Sequence, residues 1–291
     1  MNYRSVKQIL PAFKVDMGGV VLDQALPHST VKQIDPFLLL HHLNTSYPAG
    51  SKQQEVGVPP HPHRGFAPVT FIFQGGVHHR DSMNISSVVH GGGTQWMHAG
   101  KGIVHSERPT KEVAEQGSTW ELIQFWVNLP AKYKMSAPQY HPLSHEDTPL
   151  VTSADGRVKL GVVAGDFQEV QGGIETYSPI LALRMNFEAE GQIDIPIPEG
   201  FNAFVYLLDG QLAVNGQSEV KEKDLVWLAK DGAGVHLKAK AATRAILLAG
   251  EPINEPLVSY GPFVMNKQSE IMEAMQDFQS GKMGHLEEVF D

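Results

Sequence analysis

An internal repeat is the feature that most constrains how this chain can fold. Residues 61–75 align without a gap with residues 196–210, and the glycine, phenylalanine, second aromatic and final glycine positions coincide. Residues 96–105 align in the same ungapped way with residues 227–236. Two matches in the same order favour two copies of one module over chance recurrence of turn-and-strand patterns. We therefore predict two repeated modules, at about residues 1–135 and 150–255, within domains 1–135 and 150–291.

Each module is predicted to consist of β-strands. Short runs rich in valine, isoleucine, leucine and aromatic residues recur between glycine, proline and Asn-Gly turn signals. Such regularly spaced short strands are typical of a barrel or jelly roll. The predicted strands include Pro68–Gln74, Trp120–Leu129, Leu181–Phe187, Asn202–Leu208, Gln211–Val214 and Ala242–Leu248. The fold class is therefore all-β, as two tandem jelly-roll β-barrels.

One segment near the end of the chain has the pattern of a short helix. Asn266 and Ser269 are both suitable N-terminal caps, and Gly281 is a suitable stop. Between them lies one apolar stripe, made of Ile271, Met272, Met275 and Phe278. Such a stripe predicts that this helix packs against a barrel rather than serving as a binding site for a partner.

Two short strings carry the chemistry of the first module, His61-Pro62-His63 and His105-Ser106-Glu107. Side chains alternate along a β-strand, so the first and third residues of each string share a face. Two such strands facing each other inside a small barrel would bring three imidazoles and one carboxylate to one point. This mixed nitrogen and oxygen set suits iron, manganese, nickel, copper or zinc. We predict a metal site formed by His61, His63, His105 and Glu107.

The repeat also indicates what the second module lacks. In the aligned second copy, only His105 has a histidine counterpart, which is His236. The other three ligand positions are occupied by Pro196, Pro198 and Lys238. Because prolines cannot bind a metal through their side chains and lysine is a poor ligand at neutral pH, the second module is expected to be metal-free.

Further histidines are interpreted as structural or surface residues, because no second ligand was recognised two positions away. They are His41, His42, His78, His79 and His90.

Composition narrows the functional classes. The 291 residues include no cysteine, which excludes disulfide scaffolds, thiol catalysis and Cys-based metal sites. A net charge of −9 disfavours binding to a phosphate backbone. The N-terminus lacks the apolar run of a secretory signal, and no stretch is long enough to span a membrane. We expect a cytoplasmic protein that contacts neither nucleic acid nor membrane. Phosphate-binding loops and the Gly-x-Ser-x-Gly elbow are absent from the sequence.

With these residues identified, the chain resembles the pirin family of the cupin superfamily. The strings that carry the resemblance are in order and cover nearly the whole chain. These strings, each given with its first residue, are DPFLLL from Asp35, HPHRGF from His61, HRDS from His79, QWM from Gln95, AGKGI from Ala99, HSE from His105, FWVNLP from Phe125, GEP from Gly250 and GPFVMN from Gly261.

The resemblance implies a bicupin with a short C-terminal helix and one divalent metal in its N-terminal barrel. Its family ligands fall on His61, His63, His105 and Glu107, all intact here. Iron(II) is the expected metal, with manganese, nickel, copper, cobalt and zinc as alternatives. The implied activity is that of a quercetin 2,3-dioxygenase, which opens a flavonol ring with O₂ and releases carbon monoxide. In that reaction Glu107 is the candidate general base, and Phe66, Trp96 and Met97 are candidates for an apolar lining.

Two alternatives to the enzyme remain open. The resemblance also implies an iron-dependent, redox-responsive regulator that binds a transcription factor or a metabolic enzyme. The other alternative is a degenerate cupin in which the metal has only a structural role. The chain departs from the family pattern at Ala67, at His41 and His42, at Gly92-Gly93-Thr94 and at His98. The last two are close in sequence to the site, so the substrate stays undefined. We expect a monomer.

Overall fold

A computed structural model describes residues 1–216 and 218–290. Strands dominate the first half of the chain. In chain order these strands are β1 (Val6–Pro11), β2 (Phe13–Met17), β3 (Val20–Leu26), β4 (Phe37–Ser46), β5 (Val58–His63), β6 (Phe66–Gln74), β7 (Gly76–Asp81), β8 (Ser86–His90), β9 (Thr94–His98), β10 (Ile103–Pro109), β11 (Thr119–Asn128) and β12 (Gln139–Leu143).

The second half is built in the same way. Its strands are β13 (Leu150–Thr152), β14 (Val158–Ala164), β15 (Asp166–Phe167), β16 (Val170–Gln171), β17 (Ile180–Phe187), β18 (Gln192–Pro196), β19 (Asn202–Asp209), β20 (Leu212–Val214), β21 (Ser218–Val220), β22 (Asp224–Leu228), β23 (Gly234–Ala239), β24 (Thr243–Gly250), β25 (Val258–Tyr260) and β26 (Phe263–Met265). The helices are α1 (Lys111–Gln116) and α2 (Gln268–Gln279), and 3₁₀ turns cover Gln53–Glu55 and Ala131–Tyr133. The predicted all-β class with a short C-terminal helix is confirmed.

The chain forms two compact units that interleave along the sequence. One unit combines Met1–Leu39 with Asp147–Pro252, and the other combines Leu40–Glu146 with Ile253–Asp291. Within the described residues, neither helix has the length and apolar character needed to cross a membrane. The sequence domains 1–135 and 150–291 stay a prediction, because compactness and sequence repetition are different criteria.

The unit that begins at Met1 contains a barrel with an apolar interior. Its larger sheet has the order β1-β22-β19-β24-β17-β14-β13, and its smaller sheet has the order β18-β23-β20-β21. Alternate residues of these strands meet in one buried cluster, which includes Ile193, Ile195, Val235 and Leu237. Burial of apolar surface on this scale is the main stabilising contribution to such a domain.

The unit that begins at Leu40 contains the other β-barrel, which includes the predicted metal ligands. Strands β5-β10-β7-β8 form one sheet, and β12-β9-β6-β11-β4 are successive neighbours in another. Every residue of β9 and β10 is buried, including polar and charged ones. This barrel therefore encloses polar groups that need partners, since unpaired buried polar atoms are costly.

The C-terminal helix begins at Gln268, and its N-cap is Lys267. The predicted caps were Asn266 and Ser269. The Glu270 side chain accepts hydrogen bonds from the backbone N–H groups of Asn266 at 3.0 Å and Lys267 at 2.9 Å. These bonds satisfy two backbone donors at the start of the helix, as the carboxylate of a capping box does. The helix ends at Gln279, two residues before the predicted stop at Gly281.

The buried face of α2 differs from the predicted stripe, and the packing is with the unit that begins at Leu40. Ile271, Ala274 and Asp277 are the buried residues of this helix. Met272 is 57% exposed, because it lies about 100° around the helix from Ile271. Phe278, in the last turn, is 40% exposed. A charged residue thus occupies a position on the buried face, which apolar periodicity could not predict.

Asp277 is buried because it pairs with Arg64. The Arg64 guanidinium donates to Asp277 at 2.8 Å and, through Nε, to the Lys101 carbonyl at 2.6 Å. Lys282, whose side chain is 69% exposed, contacts the other Asp277 oxygen at 2.7 Å. Asp277 therefore anchors the helix through one buried and one exposed cation.

We expect Asp277→Ala to lower the free energy of unfolding by about 3 kcal/mol, because the Arg64 charge stays buried without its partner. Lys282→Ala is the matched control, since it removes only the exposed cation and is expected to cost less than about 1 kcal/mol. Urea unfolding followed by circular dichroism measures both. Equal effects of the two substitutions would contradict the anchoring role of the buried pair.

His41 on β4 is predicted to make stability depend on pH. Burial lowers the pKa of His41 from 6.5 to about 4. The unfolded chain therefore binds a proton more readily between those values, so stability is present above pH 6.5 and is lost as the pH falls toward 4. We expect His41→Gln to reduce the slope of unfolding free energy against pH in this window by up to about 1.4 kcal/mol per pH unit. An unchanged slope in denaturant titrations would contradict this assignment.

Candidate metal centre

The site is built on the pairing of β5 with β10. The strands are antiparallel, with His105 opposite His61 and Ile103 opposite His63. The register shifts by one residue before Glu107, which pairs with Val58. The two predicted strings therefore lie on neighbouring strands of one sheet rather than facing each other across the barrel.

Three of the four predicted ligands come together. One ring nitrogen from each of His61, His63 and His105 lies within 4.8 Å of the others. The Nε2 atoms of His61 and His63 are 3.0 Å apart. The ring centroids of His105 lie 4.4 Å from His61 and 4.9 Å from His63. The spacing of two residues along a strand thus placed His61 and His63 on the same face, as predicted.

The hydrogen bonding of these rings fits a cation at their centre. His61 Nδ1 lies 2.8 Å from the Pro59 carbonyl, which can only accept, so Nδ1 carries the proton and Nε2 of the neutral ring is bare. The bare Nε2 faces His63 Nε2. Among the described residues, the buried Nε2 of His105 has no hydrogen-bond partner. A metal ion between these nitrogens would satisfy their lone pairs, so the residues present fit the group that the family resemblance implies.

Burial keeps two of the three imidazoles in the form that a metal needs. Desolvation, reinforced by neighbouring histidines, lowers the pKa of His63 and of His105 well below the usual value. The Pro262 carbonyl acts in the opposite direction on His63. Within the described part of the chain, no hydrogen bond of normal geometry reaches His63 Nδ1. Both rings are therefore neutral at pH 7, and metal binding has no proton to displace from them.

Glu107 follows His105 by two residues on β10, but its carboxylate lies outside the three-histidine group. Its carboxylate accepts hydrogen bonds from Gln95, from Thr70 at 3.1 Å and from Gln124 at 2.7 Å. These donors come from β9, β6 and β11, so strands of the other sheet hold the carboxylate. Its role as a metal ligand stays a prediction.

His79 belongs to the site. The sequence-based interpretation, that His79 has no partner two positions away, was wrong. Its Nδ1 lies 3.5 Å from Nδ1 of His105, and its Nε2 lies 2.9 Å from the Asp81 carboxylate. Tyr140 stacks on the His79 ring at 4.0 Å. The signal was present, since Asp81 follows His79 by the same two-residue step that joins His61 to His63.

Two aromatic rings line the histidine group. Phe66 lies 5.0 Å from the His63 ring, and Trp126 lies 5.6 Å from it. The two aromatic rings are 4.2 Å apart. Trp96, in contrast, packs toward Phe125 on the opposite face from Gln95. Of the predicted aromatic lining, Phe66 is in place, and Trp126 takes the position expected of Trp96.

Met97 lies on the same face of β9 as Gln95 and packs with Ile103 and Tyr140. It thus lies on the side of β9 from which Gln95 reaches Glu107.

Two of the departures from the family pattern, Ala67 and His98, face away from the site. Ala67 alternates with Phe66 along β6, so it lies on the opposite face from the residues that contact His63 and Glu107. His98 shares the face of Trp96 and lies 5.7 Å from the His141 ring. Neither residue therefore changes the groups around the three histidines.

His236 is the sequence counterpart of His105, but its side chain lies outside the other barrel. Val235 and Leu237 belong to the apolar interior, so His236 between them points outward, where it contacts Asp194 at 2.7 Å. Residues 99–102 separate β9 from β10, whereas residues 229–233 separate β22 from β23. The second connection is one residue longer because β22 ends one aligned position before β9, whereas β10 and β23 begin at aligned positions. The ungapped alignment therefore does not predict which side chains face inward after this connection.

The fold and the three-histidine site define a protein with two cupin barrels, one of which carries a candidate metal centre. Residues 19–127 match the pirin family, and residues 182–284 match the pirin C-terminal cupin domain. The chain belongs to the pirin family. The predicted resemblance and the bicupin fold are confirmed.

Relatives match over nearly the whole length. A pirin-like protein of Solanum lycopersicum is 36% identical over 96% of this chain and 92% of its own. Pirin-like protein 2 of Arabidopsis thaliana is 35% identical over 96% of this chain and 85% of its own. A crystal structure of quercetin 2,3-dioxygenase from Acinetobacter baumannii superposes with a TM-score of 0.91 at 33% identity, covering 98% of this chain and all of that one.

We expect His63→Ala to abolish stoichiometric binding of Zn(II), because the remaining two imidazoles cannot complete the site. His236→Ala is the matched control, since that histidine lies on the outer face of the other barrel. Zn(II) competition against a chromophoric chelator measures both variants. Equal loss of binding in the two variants would contradict the assignment of the site.

Proposed function

We propose that this chain is a metal-dependent cupin dioxygenase that acts on quercetin-like flavonols or related aromatic enols. One observation carries the proposal: three imidazole nitrogens, from His61, His63 and His105, converge within 4.8 Å of one another. Glu107, two residues after His105 on β10, adds a hydrogen-bonded carboxylate. The relative from Acinetobacter baumannii, with the same fold over its whole length, is named a quercetin 2,3-dioxygenase. Its name supports a small aromatic substrate and O₂ as the reactants.

His61, His63 and His105 would hold the metal, and Glu107 is the proposed fourth ligand. We propose iron(II), with manganese, nickel, copper, cobalt or zinc as alternatives that the same nitrogen and oxygen donors accept. When bound, the metal supplies a Lewis acid at which a flavonol oxygen and O₂ can be held together. His61 is the partly exposed member of the group, so the site is open to solvent on its side.

Glu107 is also the proposed general base. Gln124 donates to one carboxylate oxygen, and Gln95 and Thr70 donate to the other. The oxygen that accepts only from Gln124 keeps a lone pair, so it can accept the proton of the flavonol 3-hydroxyl. The three donors would hold the carboxylate in position as its charge changes.

Phe66 and Trp126 would provide the wall for a flat aromatic substrate. Trp126 is only partly buried, and its Nε1 lies 3.4 Å from the Gln124 side chain. An aromatic ring placed against Trp126 would gain stacking with the indole while its hydroxyl lies near the histidines and Glu107. This arrangement favours planar phenols and enols over aliphatic substrates.

The remaining assignments belong to the same proposal. We place the protein in the cytoplasm as a monomer that needs no nucleic acid and no membrane. A protein partner is an expectation of the redox-responsive alternative rather than of the enzyme.

The test is metal analysis of protein purified without O₂, followed by Fe(II) reconstitution and O₂ consumption with quercetin. We expect about one metal per chain and carbon monoxide release in the native protein. Glu107→Gln preserves the shape of the side chain and is expected to lower the rate about a hundredfold or more, because the base is lost. His236→Ala is expected to behave as the native protein.

Each other result has a defined meaning. Bound metal without O₂ uptake contradicts the dioxygenase and supports the redox-responsive regulator. Native protein that binds no metal contradicts both. Metal analysis of Glu107→Gln separates its two proposed roles, since loss of metal indicates a ligand and loss of rate alone indicates a base.

A further inference from the structure

We propose that His79, oriented by Asp81, is a positioning residue that sets the tautomer of His105 and so leaves the Nε2 lone pair of His105 facing the metal. This inference rests on the proposed metal binding by the three histidines and is independent of the substrate. It concerns two side chains that sequence reasoning had left without a function.

The Asp81 carboxylate determines which nitrogen of His79 carries the proton. One Asp81 oxygen accepts from the backbone N–H groups of Met83 at 2.8 Å and Ile85 at 3.1 Å. The other lies 2.9 Å from His79 Nε2. An ionised carboxylate can only accept, so Nε2 of His79 is the donor. The neutral His79 ring therefore has a bare Nδ1.

The bare Nδ1 of His79 in turn determines the tautomer of His105. The two Nδ1 atoms are 3.5 Å apart, so a stable contact needs one proton between them. His79 has already placed its proton on Nε2, so the proton between the rings belongs to His105 Nδ1. This leaves Nε2 of His105 unprotonated, and Nε2 is its buried atom without a hydrogen-bond partner.

The histidine partner makes His105 different from His61. The Pro59 carbonyl, which contacts His61, can only accept, so it enforces one tautomer by itself. An imidazole can either donate or accept. The tautomer of His105 therefore depends on the group beyond His79, and that group is Asp81. Outer partners of this kind are known to fix the orientation and basicity of metal-binding histidines.

Burial and stacking hold the chain of groups in place. His79 is 0% exposed, Asp81 2% and His105 1%, so water does not compete for their hydrogen bonds. The Tyr140 ring lies parallel to His79, with an interplanar angle of 12°. This contact fixes the plane of His79, so that its two nitrogens point to Asp81 and His105.

Asp81→Asn is the decisive substitution. The side-chain oxygen of the new amide can still accept from Met83 and Ile85, which directs its NH₂ group toward His79. His79 Nε2 must then accept, His79 Nδ1 becomes the donor, and the proton of His105 moves to Nε2. The substitution preserves shape and loop contacts but reverses both tautomers.

Two measurements read the outcome. Long-range ¹H–¹⁵N correlation spectra of ¹⁵N-histidine-labelled, metal-free protein report the protonated nitrogen of His105. We expect Nδ1–H in the native protein and Nε2–H in Asp81→Asn. The Zn(II) dissociation constant, measured by chelator competition, is expected to rise about 10- to 100-fold in Asp81→Asn.

A second variant and a matched control complete the test. His79→Phe keeps an aromatic ring against Tyr140 but removes both hydrogen bonds, and it is expected to weaken Zn(II) binding as well. Asp194→Asn makes the same change in the Asp194–His236 pair of the other barrel and is expected to leave Zn(II) binding unchanged.

Two results would overturn the inference. They are an unchanged tautomer of His105 in Asp81→Asn, and a Zn(II) affinity in Asp81→Asn equal to that of the native protein. Native protein that fails to bind Zn(II) would instead contradict the proposed metal centre, while the spectra of the metal-free protein would still decide the tautomer.

Discussion

The antiparallel register of β10 against β5 is the constraint on which the site depends. It places His105 directly opposite His61, while the alternation of side chains along β5 places His63 on the same face. A slip of one residue would turn the imidazoles of one strand out of the barrel. Gly65, two residues after His63, supports this arrangement because its positive φ of 87° and lack of a Cβ let the Val264 carbonyl approach closely. The pairing of the backbones thus determines which imidazoles meet, and side-chain chemistry then determines what they can bind.

The two barrels share one architecture but differ in the polarity of their interiors. One interior is filled by apolar side chains, and burial of their surface stabilises the domain. The other encloses three imidazoles and a carboxylate, which would be costly without partners. That cost is offset by Gln95, Gln124 and Thr70 around Glu107, and by His79 around His105. Partners from four other strands, β6, β7, β9 and β11, are therefore part of the site.

Much of the fold could be read from the sequence because strand periodicity and turn residues are local signals. The predicted strand Asn202–Leu208 differs from the observed strand by one residue at its end, and Leu181–Phe187 differs by one at its start. The face of α2 was predicted less well, since the ion pair of Asp277 with Arg64 joins residues far apart in the chain. Such a pair leaves no periodic trace in the sequence.

The sequence by itself determined the fold class, the family and the face shared by His61 and His63. The fold class and the shared face follow from residue type and spacing within strands, where the two-residue period is strict. The family follows from the resemblance of motifs along the whole chain. Only the tertiary structure decided that His236 points outward, that Trp126 rather than Trp96 lines the site, and that His79 connects Asp81 to His105. Each of these depends on the register or on contacts between strands, and a one-residue shift in register reverses the face that a side chain occupies.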